Sequence, residues 1–525
     1  MQKRLKSITL VLCFLISAMF IKCGYLMLRF YISGEDVINS YQAEISQIRG
    51  NIYDKNGRKL VNGKKQNTLI IRPSKAAVEL LKNNLTTEDF LEIQQKILNG
   101  RPAEISLDYT IPQSDDIIQV ETYKRYYENG FLQHVLGYTD IHSKGVGGLE
   151  KAFDELLSGK NRKITAEYTL SATGTSLFGD QVRIQKNDYY SPKGIRITID
   201  KNIQDICEEA IDSFGVEKGA IVVLNAKTSE ISALVSRPVY NPYDVEKSLK
   251  NEQSPLINRA LSPYSTGSVF KIVIAATALE EGIDFSYNCS GKTEINGLVF
   301  NCHKKEGHGE INLEDAISHS CNTYFINLAK KLSVERILKT ASDLGFGEKT
   351  VLCEGIVSDV GNLPTVYDIN SDAALANLSF GQGLLTSTPL QIAVMTATVA
   401  NSGNFVHANL IDGYVGENSE FTRTVKEAPR RVLSESTCDT IRNAMVKAVK
   451  EGTGKKANPI NTSAGVKTST AENSDGTYNS WLTGFFPEDD SEYVVVILKE
   501  DGISGGEDCG PIFKKIAEKI TLLSR

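Results

Sequence analysis

Strand-like segments stand at both ends of the chain beyond residue 190, and helix-like segments fill the middle. The runs 220–224 and 230–235 are rich in β-branched residues and are joined by Asn-Ala-Lys-Thr-Ser, which predicts a β-hairpin. Helical patterns dominate 265–455. Strands return near 466 and over 481–486 and 493–498, before a closing helix over 512–523. This order predicts an α/β domain over 191–525, with a mostly antiparallel sheet flanked by helices and a helical subdomain.

The N-terminal segment carries a basic tip followed by an interrupted apolar stretch. Three basic residues within the first six precede apolar runs at 8–21 and 25–31. A secretory signal peptide would also have a basic flank, but the small-x-small pattern of a cleavage site is missing. A helix of about 20 residues spans a bilayer, and basic flanks stay in the cytoplasm. We therefore expect residues 1–31 to form a single-pass anchor in the cell membrane, with the rest of the chain extracytoplasmic.

The next region, 32–190, shows strand and turn signals and is predicted to be a separate β-rich domain. Asn56-Gly57 lies between two strand-like runs, which predicts a tight turn with positive φ at both residues. Residues 75–100 have a helical pattern, and the polar stretch 171–193 is the predicted domain junction. The net charge of −6 and the absence of long basic runs argue against nucleic acid as a partner.

Ser268 and Lys271 are the first residues that could carry chemistry. They lie in Ser-Thr-Gly-Ser-Val-Phe-Lys, at the start of an apolar helix. Residues three apart lie on one face of a helix, so the hydroxyl and the amine can meet, as a nucleophile and its base must. Lysine accepts a proton at neutral pH only if burial or a second cation lowers its pKa. Taken alone, Ser-x-x-Lys more often marks a solvated helix start.

Two further motifs follow in chain order. Ser-Cys-Asn at 320–322 precedes an aromatic helix, and Lys-Thr-Ser-Thr at 467–470 lies on a predicted strand. Ser-x-x-Lys, a Ser-x-Asn type motif and Lys-Thr-Gly together are the signature of penicillin-binding proteins and related β-lactamases. The order and context of the three motifs argue against a chance match.

With these motifs, the chain resembles a class B penicillin-binding protein, a peptidoglycan D,D-transpeptidase. Arg-Gly-Asn-Ile-Tyr-Asp at 49–54 and Gly-Leu-Glu-Lys around Glu150 are similar to landmarks of that family's pedestal domain. Ser-Phe-Gly-Gln-Gly at 379–383, Thr-Pro-Leu-Gln at 388–391 and Trp-Leu-Thr-Gly-Phe-Phe-Pro at 481–487 resemble further family stretches. No glycosyltransferase segment precedes the pedestal, which is typical of class B. The resemblance implies the penicillin-recognising serine transpeptidase fold behind a non-catalytic, dimerisation-like pedestal.

The resemblance implies a role for each motif residue. Ser268 would attack the carbonyl of the penultimate D-alanine of a stem peptide and expel the terminal D-alanine, while Lys271 accepts the serine proton. Ser320 would relay a proton toward the leaving amine, Asn322 would hydrogen-bond the donor's acyl side chain, and Lys467 would keep the base neutral by its positive potential. An amine from a neighbouring stem would then release the enzyme. The implied substrate-binding residues are Thr468, Ser469 and Thr470.

Ser469 departs from the family motif, which has glycine at this position. The backbone N–H groups of Ser268 and Thr470 would form the oxyanion hole there, and glycine usually permits close backbone approach. Serine adds bulk, so we expect altered substrate or β-lactam fit, or a weakened enzyme. Ser268→Ala is expected to abolish covalent labelling by a fluorescent penicillin, and Ser469→Gly to keep or raise it.

Cysteine and histidine residues cluster between the first two motifs. Thiolate and imidazole ligands suit tetrahedral zinc, and some members of the resembled family carry zinc near the active site. The spacing is not that of a zinc finger, and buried cysteines also serve as small apolar core residues. A structural zinc ion and a purely apolar cluster both remain open, and the transpeptidase chemistry itself requires no cofactor. The candidate ligands are Cys289, Cys302 and His308, with Cys321 as the fourth.

The ligands and partners that the resemblance implies are D-Ala-D-Ala stem peptides, β-lactams, the membrane and a membrane glycosyltransferase. Two other functions stay open. A D,D-carboxypeptidase or β-lactamase would release the acyl group with water instead of an amine. A β-lactam sensor or a scaffold of the wall-synthesis machinery would need no turnover. The departure from glycine at Ser469 is compatible with such a weakened or inactive enzyme.

Overall fold

The chain forms two compact units in the computed structural model, which describes residues 2–33, 40–127, 129–159, 162–169, 182–473 and 475–523. The first unit comprises 1–47, 65–122 and 161–189, and the second comprises 48–64, 123–160 and 190–525. The predicted pedestal, 32–190, is thus shared between the two units, and the boundaries expected at residues 31 and 190 stay predictions. Part of the expected junction at 171–193 lies outside the described residues, and Arg183–Asn187 within it is a strand.

In its described residues, the first unit contains one long helix, two shorter helices and two three-stranded sheets. Helix Gln2–Ser33 joins both predicted apolar runs, and its stretch Thr9–Leu28 has a mean hydropathy of 2.1, which makes it a candidate membrane span. The helical pattern of 75–100 is confirmed, as two helices rather than one. The remaining elements are the helices Lys75–Asn84 and Thr87–Leu98 and the strands Ser40–Gln47, Lys64–Ile71, Ala103–Leu107, Ile117–Lys124, Lys163–Thr169 and Arg183–Asn187.

A buried ion pair in the second unit joins the two sequence landmarks at 49–54 and Glu150. Arg49 Nε donates to Glu150 Oε2 at 2.8 Å, and Arg125 Nε donates to Glu150 Oε1 at 2.7 Å. A buried carboxylate shared by two guanidinium groups fixes three distant segments to one another. The neighbouring turn is present, but the expectation of positive φ at both Asn56 and Gly57 is wrong, because only Gly57 has it, at 79°.

The central sheet of the second unit has five strands, each antiparallel to its neighbours. In chain order they are Gly219–Asn225 (β1), Ile231–Arg237 (β2), Gly465–Glu472 (β3), Tyr478–Phe486 (β4) and Tyr493–Lys499 (β5). Their spatial order is β2-β1-β5-β4-β3, so β3 forms one edge of the sheet. Strands from the two ends of the domain meet where β1 pairs with β5, and the predicted antiparallel α/β domain is confirmed.

Helices cover both faces of this sheet. Along β1, Val222 and Leu224 enter one core cluster while Ile221 and Val223 enter the other, because successive side chains of a strand point to opposite faces. The main helices are Lys201–Ser213 (α1), Lys271–Glu280 (α2), Leu313–Ser318 (α3), Asn322–Ala329 (α4), Val334–Asp343 (α5), Asp372–Ser379 (α6), Pro389–Ala400 (α7), Glu435–Lys450 (α8) and Gly510–Leu523 (α9). Apolar residues of α2 and α7 fill the first core, and those of α1 and α9 fill the second.

Helix α7 shows how local sequence fixes an element beneath the site. Thr388 accepts a hydrogen bond from Gln391 N and the Gln391 side chain accepts one from Thr388 N, which closes a capping box with Pro389 in the first turn. Every residue of this helix is buried. Shorter helices are Gln133–Leu136, Gly148–Ala152, Asp154–Leu157 and Val245–Leu249, and shorter strands are Asn51–Tyr53, Gly194–Ile197, Tyr264–Ser265, Tyr287–Cys289, Lys292–Ile295, Leu298–Asn301, Gly309–Ile311, Val351–Cys353, Ile356–Val357, Thr386–Ser387, Asn404–Phe405, Ile411–Val415, Phe421–Arg423 and Arg430–Arg431.

Candidate active site

Ser268 lies on the short 3-10 turn Gly267–Phe270, which leads directly into α2. Its side chain lines a cavity of about 400 Å³. Lys271 is the first residue of α2 and is fully buried. Ser268 therefore borders the cavity, whereas Lys271 lies within the protein.

The same cavity brings together all three sequence motifs. Ser320 reaches it from the connection between α3 and α4, Asn322 from the first residue of α4, and Thr470 from the edge strand β3. Each of the three motifs therefore contributes residues to one cleft, and the buried Lys271 and Lys467 lie behind its wall. The remaining lining residues are His303, Thr453, Thr468, Ser469, Ser504, Gly505, Gly506 and Glu507.

The Ser320 hydroxyl lies between two buried amines. Its Oγ is 3.3 Å from Lys271 Nζ and 2.8 Å from Lys467 Nζ. Lys271 Nζ also donates to Ser320 O at 2.7 Å and to Asn322 Oδ1 at 2.6 Å. Ser320 has φ of 55°, a left-handed conformation that is costly for a residue with a side chain and that recurs at functional sites. The hydroxyl can therefore pass a proton to or from either amine.

Burial lowers the proton affinity of both lysines. It lowers the pKa of Lys271 from 10.5 to about 7. Burial, and then the nearby charge of Lys271, lower the pKa of Lys467 well below 10.5. Because burial is the largest cause at Lys271, the desolvated position of this amine matters more for its neutrality than the expected positive potential of Lys467. Two such amines around one hydroxyl disfavour double protonation near neutral pH.

The expected hydrogen bond between Ser268 and Lys271 is absent from the described part of the chain. Lys271 directs its donors to Ser320 and Asn322, while Ser268 lines the cavity. Catalytic hydrogen bonds are often long in unliganded sites and tighten in the substrate complex. The direct contact was therefore a wrong expectation for this state, and the roles of the two residues stay predictions.

Thr468 and Ser469 of β3 have separate partners. Thr468 Oγ1 donates to Thr453 Oγ1 at 2.7 Å. Ser469 Oγ donates to Thr266 O at 3.0 Å, and the residue is 4% exposed. The hydroxyl that was expected to crowd the cleft is thus bonded to the backbone ahead of the nucleophile.

The sequence analysis did not identify Thr453, nor the cavity-lining residues 504–507 that follow β5. Thr453 follows α8 within Gly-Thr-Gly at 452–454, and Thr453 N donates to Ser318 O at 3.2 Å. A Cβ on Gly452 would lie 2.1 Å from Ser318 O, so glycine is needed for this close approach. On the rim after β5, Gly505 N donates to Thr470 Oγ1 at 3.4 Å. The clustered glycines were the only sequence signal for both segments.

The four candidate metal ligands lie together beside the site. Their ligand atoms are all within 4.8 Å of one another. The Sγ atoms of Cys302 and Cys321 are 3.8 Å apart, and His308 Nδ1 is 3.5 Å from the Sγ atoms of both Cys289 and Cys302. Tetrahedral zinc with ordinary Zn–S and Zn–N bonds gives S···S edges of about 3.8 Å and S···N edges of about 3.5 Å. The cluster therefore fits zinc in both ligand type and spacing.

A family match covers most of the second unit. Residues 219–518 match the penicillin binding protein transpeptidase domain. The chain belongs to this family. Membership in the penicillin-binding protein family confirms the resemblance to the class B peptidoglycan D,D-transpeptidases and the fold that the resemblance implied.

Similar proteins extend the match beyond that domain. Stage V sporulation protein D of Bacillus subtilis is 28% identical over 497 residues, which is 86% of this chain and 74% of that protein. Peptidoglycan D,D-transpeptidase FtsI of Buchnera aphidicola is 30% identical over 424 residues, or 76% of this chain and 70% of that protein. A complex of penicillin-binding protein PBP2 with MreC from Helicobacter pylori has a TM-score of 0.67 at 23% identity, covering 92% of this chain and 99% of that one.

Proposed function

We propose that this transpeptidase cross-links D-Ala-D-Ala stem peptides through an acyl-enzyme formed on Ser268. One observation carries the proposal: Ser268 faces a cavity whose wall holds a hydroxyl between two buried amines. Burial lowers the pKa of Lys271 to about 7, so a large fraction of this amine is neutral at physiological pH. A serine nucleophile needs such a base.

Acylation follows from this arrangement. Ser268 Oγ attacks the carbonyl carbon of the penultimate D-alanine, and its proton passes to neutral Lys271. The N–H groups of Ser268 and Thr470 hold the oxyanion, a contribution typically of about 3–4 kcal/mol. Ser320 carries a proton from the amines to the nitrogen of the terminal D-alanine as the C–N bond breaks. The second D-alanine leaves, and the stem stays esterified to Ser268.

Deacylation uses the same groups in reverse. An amine of a neighbouring stem attacks the ester carbonyl, its proton passes to Lys271, and the Ser268 oxygen recovers a proton as the C–O bond breaks. A β-lactam reaches the same ester by opening of its ring, which accounts for penicillin binding.

Two variants of the full-length protein test the nucleophile. Ser268→Ala is expected to abolish covalent labelling by a fluorescent penicillin. Ser262→Ala is the control, because Ser262 lies in the same segment and its hydroxyl donates to Asn258 O at 3.0 Å, away from the motif residues. Persistent labelling of Ser268→Ala rejects the proposal.

Product analysis separates the three candidate activities. The protein is incubated with lipid-linked precursor and a glycosyltransferase, and the stems are analysed. Cross-linked dimers support transpeptidation, trimmed stems would favour a carboxypeptidase, and unchanged stems would favour a sensor or scaffold.

We also propose a structural zinc ion on Cys289, Cys302, His308 and Cys321. The separations of their ligand atoms support it. Zinc would fix the segments that carry Ser320 and Asn322. Elemental analysis should find about one zinc per chain, a content that Cys302→Ser lowers and the distant Cys438→Ser does not; a content far below one in the unaltered protein would reject the site.

Membrane attachment and partners complete the proposal. Helix Gln2–Ser33 would anchor the protein, with its basic end in the cytoplasm and the second unit outside. A membrane glycosyltransferase would supply the glycan strands, and the PBP2–MreC complex of a similar protein supports assembly with other proteins. Protease added to intact spheroplasts should remove a C-terminal tag, and a protected tag would reverse the topology.

A further inference from the structure

Two neighbouring side chains of the sheet hold consecutive carbonyl groups just ahead of Ser268. Ser469 on β3 and Trp481 on β4 are directly paired across the strands. Trp481 Nε1 donates to Ser265 O at 3.1 Å, and Ser469 Oγ donates to Thr266 O at 3.0 Å. The segment that carries the nucleophile is therefore tied to the sheet through side chains.

Gly267 completes this contact. It has φ of 53°, and a Cβ at this position would lie 2.4 Å from Ser469 Oγ. The Ser469 hydroxyl thus occupies space that the missing side chain of Gly267 leaves open. On the other side of the segment, Gly267 N donates to Gly381 O at 2.8 Å. The nucleophile turn is held from two directions, and Ser469 supplies one of the bonds.

The Ser469 bond joins the two backbone segments that form the oxyanion hole. Thr266 lies two residues before Ser268, and Ser469 directly precedes Thr470. The N–H groups of Ser268 and Thr470 must reach one oxygen atom together, and such donors act only when they are held close to their working geometry. A hydrogen bond between residues 266 and 469 limits how far the two donors can separate.

We propose that Ser469 is a positioning residue that sets the separation of the two oxyanion-hole donors through its hydrogen bond to Thr266 O. This inference rests on the proposed acyl-enzyme at Ser268. It reverses the expectation that the serine bulk crowds the cleft, and Ser469→Gly should still form the acyl-enzyme but more slowly. The hole serves both acylation and deacylation, so loss of the hydroxyl should slow both steps.

Stopped-flow labelling of the full-length protein in detergent tests the role. Fluorescent penicillin at several concentrations gives the acylation rate constant at saturation and the dissociation constant of the preceding noncovalent complex. Removal of a whole oxyanion-hole donor lowers rates by about 10²–10³-fold. For displacement of a donor we expect Ser469→Ala and Ser469→Gly to lower the saturating rate constant about 10-fold. The noncovalent dissociation constant should change less than about twofold, and deacylation should slow by a factor similar to that of acylation.

Ser236→Ala is the matched control. Ser236 is a buried serine of β2, at the opposite edge of the sheet, and its hydroxyl donates to Ile257 O at 3.1 Å. Its loss should lower stability without changing the acylation rate constant. A rate constant does not depend on the folded fraction, so partial unfolding of a Ser469 variant does not hide the result.

The outcomes separate the two proposals. An acylation rate constant within twofold of the unaltered protein in Ser469→Ala, or an equal loss in Ser236→Ala, overturns the positioning role. Labelling that persists in Ser268→Ala rejects the acyl-enzyme itself, whatever Ser469 does.

Discussion

Replacing Asn322 with aspartate changes the proton affinity of Lys271 while nearly keeping the shape of the site. Asn322 Oδ1 accepts a hydrogen bond from Lys271 Nζ at 2.6 Å, so Asn322→Asp places a carboxylate at this distance from the amine. An opposite charge so close shifts a pKa by about 1–3 units. Because burial sets the pKa of Lys271 at about 7, we expect it at about 8–10 in the variant.

The sign of the effect on rate follows from the role of the base. Lys271 accepts a proton only when neutral, so acylation rises with pH through its pKa. At pH 7 about half of the amine is neutral in the unaltered protein, against about 0.1–10% in the variant. Acylation by a fluorescent penicillin should therefore be about 5–500-fold slower at pH 7 and recover as the pH rises.

The assay is the acylation rate constant measured from about pH 5.5 to about pH 9.5. Asn327→Asp is the control, since Asn327 is on the same helix, α4, and bonds to Thr323 O and Thr293 Oγ1 instead of Lys271. Its profile should keep a midpoint near 7. A midpoint that does not move in Asn322→Asp, or a rate loss equal at every pH, would show that Lys271 is not the titrating base.

Two further variants test neighbouring contacts. Ser320→Ala removes the hydroxyl shared by Lys271 and Lys467 and should lower the acylation rate constant about 100-fold, and a loss under about threefold would exclude a proton relay through this hydroxyl. Gly267→Ala places a Cβ 2.4 Å from Ser469 Oγ in a left-handed backbone and should reduce the free energy of unfolding by about 1–3 kcal/mol in thermal or denaturant unfolding. The loss should be smaller in a Ser469→Gly background, and equal losses in both backgrounds would contradict the contact.

The composition of short segments predicted the central sheet well. The β-branched runs that became β1, β2 and β5 are buried on both faces, so composition alone marks them as strands. The three motifs identified the resemblance, and residues from each of them, Ser268, Ser320 and Thr470, line one cavity. The strands were predictable because their signal is local. The motifs were predictable because they are specific to a family whose members bring them together.

Contacts between distant residues could not be predicted in the same way. Arg49 and Glu150 are 101 residues apart, and only the fold shows that their buried pair ties the segments 48–64 and 123–160 to each other. The partners of Lys271 were also misjudged. The helical spacing suggested Ser268, whereas the left-handed conformation at Ser320 presents a carbonyl and a hydroxyl to the amine instead. No local pattern predicts a single left-handed serine.

Ser469 was predictable in part. Strand alternation gives the direction of its side chain, whereas its hydrogen-bond partner is known only from the fold. Successive residues of β3 point to opposite faces, so Ser469 shares a face with Lys467 and Ala471, while Thr468 lies on the other face with Val466. The core clusters follow this pattern, since Ala471 belongs to the cluster that includes α2 and Val466 to the cluster that includes α9. A serine on the same face as Lys467 points toward the nucleophile turn, where a backbone carbonyl can accept a hydrogen bond from its hydroxyl. Thr266 O does so. Serine in place of the family's glycine therefore adds a bond between the strand and the nucleophile turn, and through this bond we expect it to act on the geometry of the oxyanion hole.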